Sequence, residues 1–391
     1  MKKKFIAALI TAMAISALAG CGGEDEPSSA PVSTLSPVVV DDETQSTAED
    51  TPAPSESESE EPEETIPENA YRSEITNEWI DESLKDQRPI AVMVDNEKTA
   101  LPHYGLTEAD VVYEIMNSTA NGRITRFMAI VKDWGSITQF GSIRSARPTN
   151  FMLAAEWNAV VCHDGGPFYI DEWVAKSYID NLSGGFARFN NGKKWEYMEY
   201  LTYDTQTGVN MKGGSQTYDG LKQRFEKANY STTYNNYYAG PHFTFSDTEV
   251  DFSDRSDALS ATEIELPFPH NSSTLKYNEA TGTYDYYEYG SLHKDPLHDD
   301  APLTFKNLLI QDTTFGELDT NGYMIYNAVD TGRDGFYITN GKAIRVTWSK
   351  SSDNSITTYY DKSTGEEIKL NTGKTYISLV PSDSWNLIKM K

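Results

Sequence analysis

Cysteine is nearly absent from this chain, 2 in 391 residues, which excludes a disulfide framework and leaves little room for thiol chemistry. Positive charge is in deficit too. Lysine and arginine number 33 against 59 aspartates and glutamates, a formal net charge of −26, so the basic stripe that nucleic-acid phosphates require is missing. Repeated long apolar runs are also lacking, and a mean hydropathy of −0.56 rules out a polytopic membrane protein. There is no phosphate loop of the form GxxxxGK(S/T) or GxGxxG. Aromatic residues are what the chain has in quantity: 7 Trp, 24 Tyr and 15 Phe, ample for a sizeable core.

The amino terminus reads as an address. Lys2, Lys3 and Lys4 precede a mostly apolar run over residues 5–19, too short for a stable bilayer span and typical of an export signal over 1–20. The run ends in LAGCG at 18–22, which resembles a bacterial lipobox, with Cys21 as the residue that receives the lipid. The expected location is the outer face of the cytoplasmic membrane, with the membrane itself as first partner. Lipidation of Cys21 leaves Cys162 no intrachain partner, so core packing alone must hold the exported chain. Residues 22–70 hold 15 Asp/Glu, 7 Pro and 13 Ser/Thr, with no Lys or Arg. Such a composition cannot bury enough surface to offset chain entropy, and the segment from 21 to 78 is expected to be a disordered, self-repelling tether.

The body divides by pattern. Over 79–240, apolar runs at 89–94, 111–115, 124–132 and 159–162 predict strands. Ser145 precedes Pro148 and the spaced Phe151, Leu153, Ala154 and Trp157, which predicts a capped helix; the spacing predicts further helices over 169–179 and 218–228. Thr107 is the expected cap of a short helical turn before residue 111. Over 241–391 the pattern shifts to short β-rich runs at 306–311, 335–339, 344–350 and 376–380, with hairpins at 277–289 and 357–365. The expected class is α+β, an α/β-type first domain over 79–240 followed by a mostly β domain over 241–391.

Several stretches occur together in an order that identifies a family: RPIAVMVDN at 88–96, GLTEADVVYE at 105–114, ITRF at 124–127, GSIRSAR at 141–147 and HDGG at 163–166, then KN at 306–307, WSK at 348–350, GKT at 373–375 and LVP at 379–381. Together they resemble the YerB-like lipoproteins of Gram-positive bacteria, over most of residues 86–382. The resemblance implies membrane anchoring and paired amino- and carboxy-terminal domains, and it implies no particular reaction. This chain departs from the family pattern at Asp95, where Asn is usual, and at Pro167, where a small hydroxyl residue often follows the glycines, so a serine nucleophile is not available there.

The residues most suggestive of chemistry are Arg123, Arg126, Arg144 and Arg147 with Glu114 and His163, all at predicted strand ends or a helix start. Guanidinium forks suit carboxylate or phosphate, and a helix start favours anions. The competing reading pairs these arginines with Glu114, Asp110 and Asp164 as structural ion pairs. Cys162 and His163 are strand neighbours that project to opposite faces, so they form no nucleophile–base pair, and Cys162 is expected in the core. His293, Asp295, His298, Asp299 and Asp300 match no metal motif and read as a solvated acidic loop, so neither a metal nor a cofactor is expected. Three roles fit: an envelope accessory or ligand-binding protein contacting wall polymer or an envelope protein, an extracellular enzyme with Glu114 or His163 as acid or base, and a solute-capturing lipoprotein. The first is favoured, with an anionic ligand, because no firm catalytic set is visible; the enzyme is the alternative.

Overall fold

The strands of the first half form where apolar runs predict them: β1 Ile90–Asp95, β2 Val111–Met116, β3 Thr125–Val131 and β4 Val160–His163, followed by a short β5, Asn181–Ser183. Every residue of β1, β2 and β4 is buried, as strands covered on both faces must be. The second half adds β6 Asn307–Thr313, β7 Arg333–Thr339, β8 Lys342–Ser349 and β9 Thr375–Pro381. These observations come from a computed structural model that describes residues 67–391; the leader, Cys21 and the tether up to residue 66 lie outside the described residues.

One sheet runs through both halves. Its order is β8-β7-β6-β9-β2-β3-β1-β4-β5, with Leu259–Ser260 and Thr358–Asp361 both paired to β8. The joint is β9, which pairs in parallel with β6 on one side and with β2 on the other, so that Leu379 lies opposite both Gln311 and Ile115. The two sequence regions are therefore halves of one compact unit among the described residues. A smaller antiparallel sheet carries Glu263–Glu265, the hairpin Thr274–Asn278 and Thr283–Glu288, and Lys389–Met390. In that hairpin Tyr284, Tyr286 and Glu288 are buried alternately, the period of two expected of a strand with one inward face.

The molecule is mostly β, and the α/β character expected of the first half is slight. Its α-helices are α1 Pro148–Ala155, the single turn α2 Asp171–Val174 and α3 Leu221–Ala228. The helix expected over 169–179 is cut short because Asp180 is held elsewhere: its carboxylate meets Arg88 Nη1 at 2.5 Å and its carbonyl accepts the Val161 N–H at 2.9 Å, drawing the chain into β5. Ser145 does not cap α1. Arg147 is the cap residue, its N–H donating to Asn150 Oδ1 at 2.7 Å, ahead of Pro148 in the first helical position. Gly105, at φ +75°, replaces Thr107 at the start of the turn Leu106–Glu108, since that left-handed conformation suits glycine.

The ordered body also begins earlier than residue 79. Ala70–Arg72 pairs with Trp79–Asp81, Ile75 is 1% exposed, and Glu74 Oε1 lies 2.6 Å from the buried Lys132 ammonium. Long-range partners, rather than local composition, bring this end of the acidic segment into the fold. Among the described residues no helix is long and apolar enough to cross a membrane.

Candidate functional site

Parallel pairing of β1 with β4, β4 with β5, and β9 with both β2 and β6 gathers their carboxyl ends along one edge of the sheet. Open sheets of this kind commonly bind ligands outside such an edge. Asp95 ends β1, and Arg126, near the start of the antiparallel β3, lies directly opposite it in register. The segment 141–147 crosses these ends, with the Arg144 N–H donating to Met93 O at 2.9 Å, and so delivers Arg144 and Arg147 to the same place.

Three guanidinium groups gather there, and one of them, Arg144, is paired with a carboxylate. Arg144 Nε lies 2.5 Å from Asp95 Oδ2, and its guanidinium stands 5.5 Å from the Tyr197 ring centre. Arg126 Nη1 donates to Ser145 O at 2.5 Å, and Arg147 Nη1 to Ala146 O at 2.9 Å. Arg147 covers the Tyr323 ring at 4.9 Å, and its Nε has no hydrogen-bond partner. Burial pushes the Arg126 pKa down to about 9, with Arg147 and Arg144 adding repulsion that Asp95 only partly offsets. Arg147 is likewise pushed down to about 10, by burial first and by Arg144, while Tyr323 opposes the shift. Both stay cationic at neutral pH. The site is thus cationic in excess, and an incoming anion would relieve that excess.

Glu114 and His163 are not part of this cluster. Glu114, on β2, is fully buried and accepts from Thr125 Oγ1 and Ser273 Oγ at 2.6 Å each, from Tyr376 OH at 2.5 Å and from Tyr286 OH at 3.0 Å. Burial pushes its pKa up and the hydroxyl donors pull it back. His163 is held by its own turn, Nδ1 to Gly165 O at 2.7 Å and Nε2 to Asn181 Oδ1 at 3.2 Å. Neither reaches a cleft, so no acid–base pair is assembled from them. Cys162 packs in the core, its thiol pKa pushed up to about 12 by burial. Arg123 belongs to another contact, a fork on Asp383 at 2.7 Å through each terminal nitrogen.

None of the three clustered arginines pairs with Glu114, Asp110 or Asp164. Asp164 is served instead by Arg188, at 3.1 Å, which also meets Glu199. Burial, reinforced by Asp164, pushes Glu199 up to about 8 although Arg188 opposes the shift. The sequence reading missed Tyr197 and Tyr323 because their contact with the arginines depends on distant segments, and it met Asp95 only as a departure from a family pattern. The loop 293–300 is not simply solvated: Asp295 is buried and accepts from the Gly105 N–H at 3.1 Å and Thr107 Oγ1 at 2.8 Å, while Asp299 and Asp300 are exposed.

Comparison with known proteins supplies the relationship. The amino-terminal domain of the family described as "Protein of unknown function (DUF3048)" matches residues 75–231, and its carboxy-terminal domain matches residues 264–377. The chain belongs to this family. It is 24% identical over 325 residues to "Putative lipoprotein YerB" of Bacillus subtilis (strain 168), a match covering 81% of this chain and 88% of that one. A crystal structure of the YerB protein from Bacillus subtilis superposes with a TM-score of 0.64 at 20% identity, over 82% of this chain and 99% of that one. The arginine-bearing edge of this DUF3048 protein falls within the matched amino-terminal region, and the carboxy-terminal match ends inside β9.

Proposed function

We propose that this protein is a lipoprotein of the cell surface that captures an anionic ligand at Arg126, Arg144 and Arg147. The observation that carries the reading is the imbalance of three buried or half-buried guanidinium groups against the single carboxylate of Asp95. The lipobox at Cys21, the acidic tether and the name of the Bacillus subtilis relative support the anchor. An acidic wall polymer, or the acidic face of an envelope protein, is the ligand class this site suits.

Two substitutions separate a binding role from a scaffolding one. Arg147→Gln relieves repulsion without stranding a carboxylate, so its thermal midpoint is expected to equal or exceed that of the wild type. Binding of a glycerol-phosphate oligomer, followed by calorimetry, should weaken about 10- to 100-fold, the loss of one charge-assisted bond. Arg144→Gln removes the cation beside Asp95 and should lower the midpoint as well. A large loss of stability in Arg147→Gln, or unchanged binding, would refute the site. For the anchor, Cys21→Ser is expected to move the protein from the membrane fraction to the medium; retention in the membrane would refute lipidation there.

A further inference from the structure

Behind Asp95, three side chains with ligand chemistry converge from both halves of the chain. His103, Glu288 and His293 are each buried, at 0%, 2% and 4% exposure. His103 Nδ1 lies 2.9 Å from His293 Nε2, and that same nitrogen lies 3.8 Å from Glu288 Oε1. One potential ligand atom from each residue falls within 4.8 Å of the others. The second ring nitrogen of His103 meets the Asp95 carbonyl oxygen; a carbonyl can only accept, so Nε2 carries the proton and Nδ1 turns its lone pair toward His293 and Glu288.

What these groups lack is as informative. Neither Glu288 oxygen has a hydrogen-bond partner, nor does His293 Nδ1. A buried carboxylate without donors is costly, and Glu114 nearby adds repulsion to the burial that pushes Glu288 up. Burial of both rings favours the neutral imidazole, the form able to ligate. The edges of Phe127 and Tyr286 pack against the His103 and His293 rings, holding them in place.

We propose that His103 Nδ1, His293 Nε2 and Glu288 form a structural site for a divalent metal ion of the zinc class. Two imidazoles and a carboxylate are a donor set that zinc favours, and a ligating histidine whose other nitrogen donates to a backbone carbonyl is the usual outer support. Two zinc–nitrogen bonds of about 2.0–2.1 Å at a tetrahedral angle place the nitrogens about 3.3 Å apart, so a small outward shift of one ring seats the ion. Its charge would compensate Glu288 and relieve the Glu114 repulsion. It would also tie the loop before Gly105 to the segment that follows the Thr283–Glu288 strand, one ligand from the first half and two from the second. A water could complete the shell.

The test uses full-length protein stripped with a chelator and titrated with zinc chloride, then with cobalt chloride. Expected are one tight equivalent of zinc, a rise of several degrees in the thermal midpoint, and visible cobalt absorption of tetrahedral character. Glu288→Gln should fold at least as stably as the stripped wild type, because it removes an uncompensated buried charge, yet lose the tight equivalent and the zinc-dependent rise. His298→Ala, whose histidine pairs with Glu108 at the surface, should retain both. Failure of the wild type to bind zinc tightly, or equal binding by Glu288→Gln, would overturn the proposal.

Discussion

Lys350→Met is expected to destabilise the protein by about 3–5 kcal/mol, the cost of leaving a buried carboxylate without its cation. Lys350 Nζ lies 3.2 Å from Glu156 Oε2, and both side chains are 0% exposed. Glu156 follows the last residue of α1 in the first half; Lys350 follows β8 in the second. The same carboxylate accepts from the Thr357 N–H at 3.0 Å, Thr357 Oγ1 at 2.7 Å and Tyr113 OH at 2.9 Å, with His242 Nε2 at 3.3 Å. Burial alone would raise the Glu156 pKa, but Lys350 and then His242 outweigh it and hold it down to about 2, against an ordinary 4.5. A carboxylate whose folded pKa lies below its unfolded one stabilises the fold above the unfolded value. That stabilisation is lost as the pH falls from about 4.5 toward 2, and the shift corresponds to about 3 kcal/mol. Urea midpoints between pH 2 and pH 8 should therefore show an acid limb in the wild type. In Lys350→Met the limb should shrink or reverse, because the remaining burial favours the protonated acid. Lys350→Met combined with Glu156→Gln should recover part of the loss. A single variant within 1 kcal/mol of the wild type, with its acid limb intact, would mean that the pair does not hold the halves together.

The sequence shows where the backbone becomes strand but not what each strand lies beside. β1 to β4, β6 and β9 are legible because buried strands are runs of mostly apolar residues, β7 and β8 from their β-branched and aromatic content, and the hairpin at 274–288 from its alternation and its turn. That β9 inserts between β6 and β2 has no local signature, since parallel pairing across most of the chain depends on distant faces matching. The same limit governs the charged residues. Arg126, Arg144 and Arg147 could be grouped because strand ends and a helix start are local features that gather on one edge in such folds. Glu114, on a neighbouring strand, was grouped with them on the same logic, but its side chain is taken up by Ser273, Tyr286 and Tyr376 from the other half. His293 and Asp295 looked solvated by composition, and burial by the first half changes their character.

Glu114→Ala is expected to cost on the order of 4 kcal/mol, because the carboxylate serves several buried donors that would all be left unpaired. Thr125 comes from the neighbouring β3, whereas Ser273, Tyr286 and Tyr376 come from the second half, so Glu114 acts as a polar fastener between the halves. Truncation to Ala deletes both oxygens and leaves a void among buried hydroxyls. Glu114→Gln should cost less, about 1–2 kcal/mol: its amide oxygen can still take Thr125 and Ser273, and the tyrosine hydroxyls can rotate to accept from the amide nitrogen. Urea unfolding in the presence of a chelator removes any contribution from metal at Glu288 and isolates the hydroxyl cluster. An acid or base in catalysis would give the opposite pattern, with Glu114→Gln abolishing a reaction and neither substitution moving the unfolding midpoint far. An Ala variant within 1 kcal/mol of the wild type would remove the fastener reading and return Glu114 to the residues that could serve a reaction. A graded loss, Ala well beyond Gln, would mean that this carboxylate is retained in the interior for the donors it satisfies.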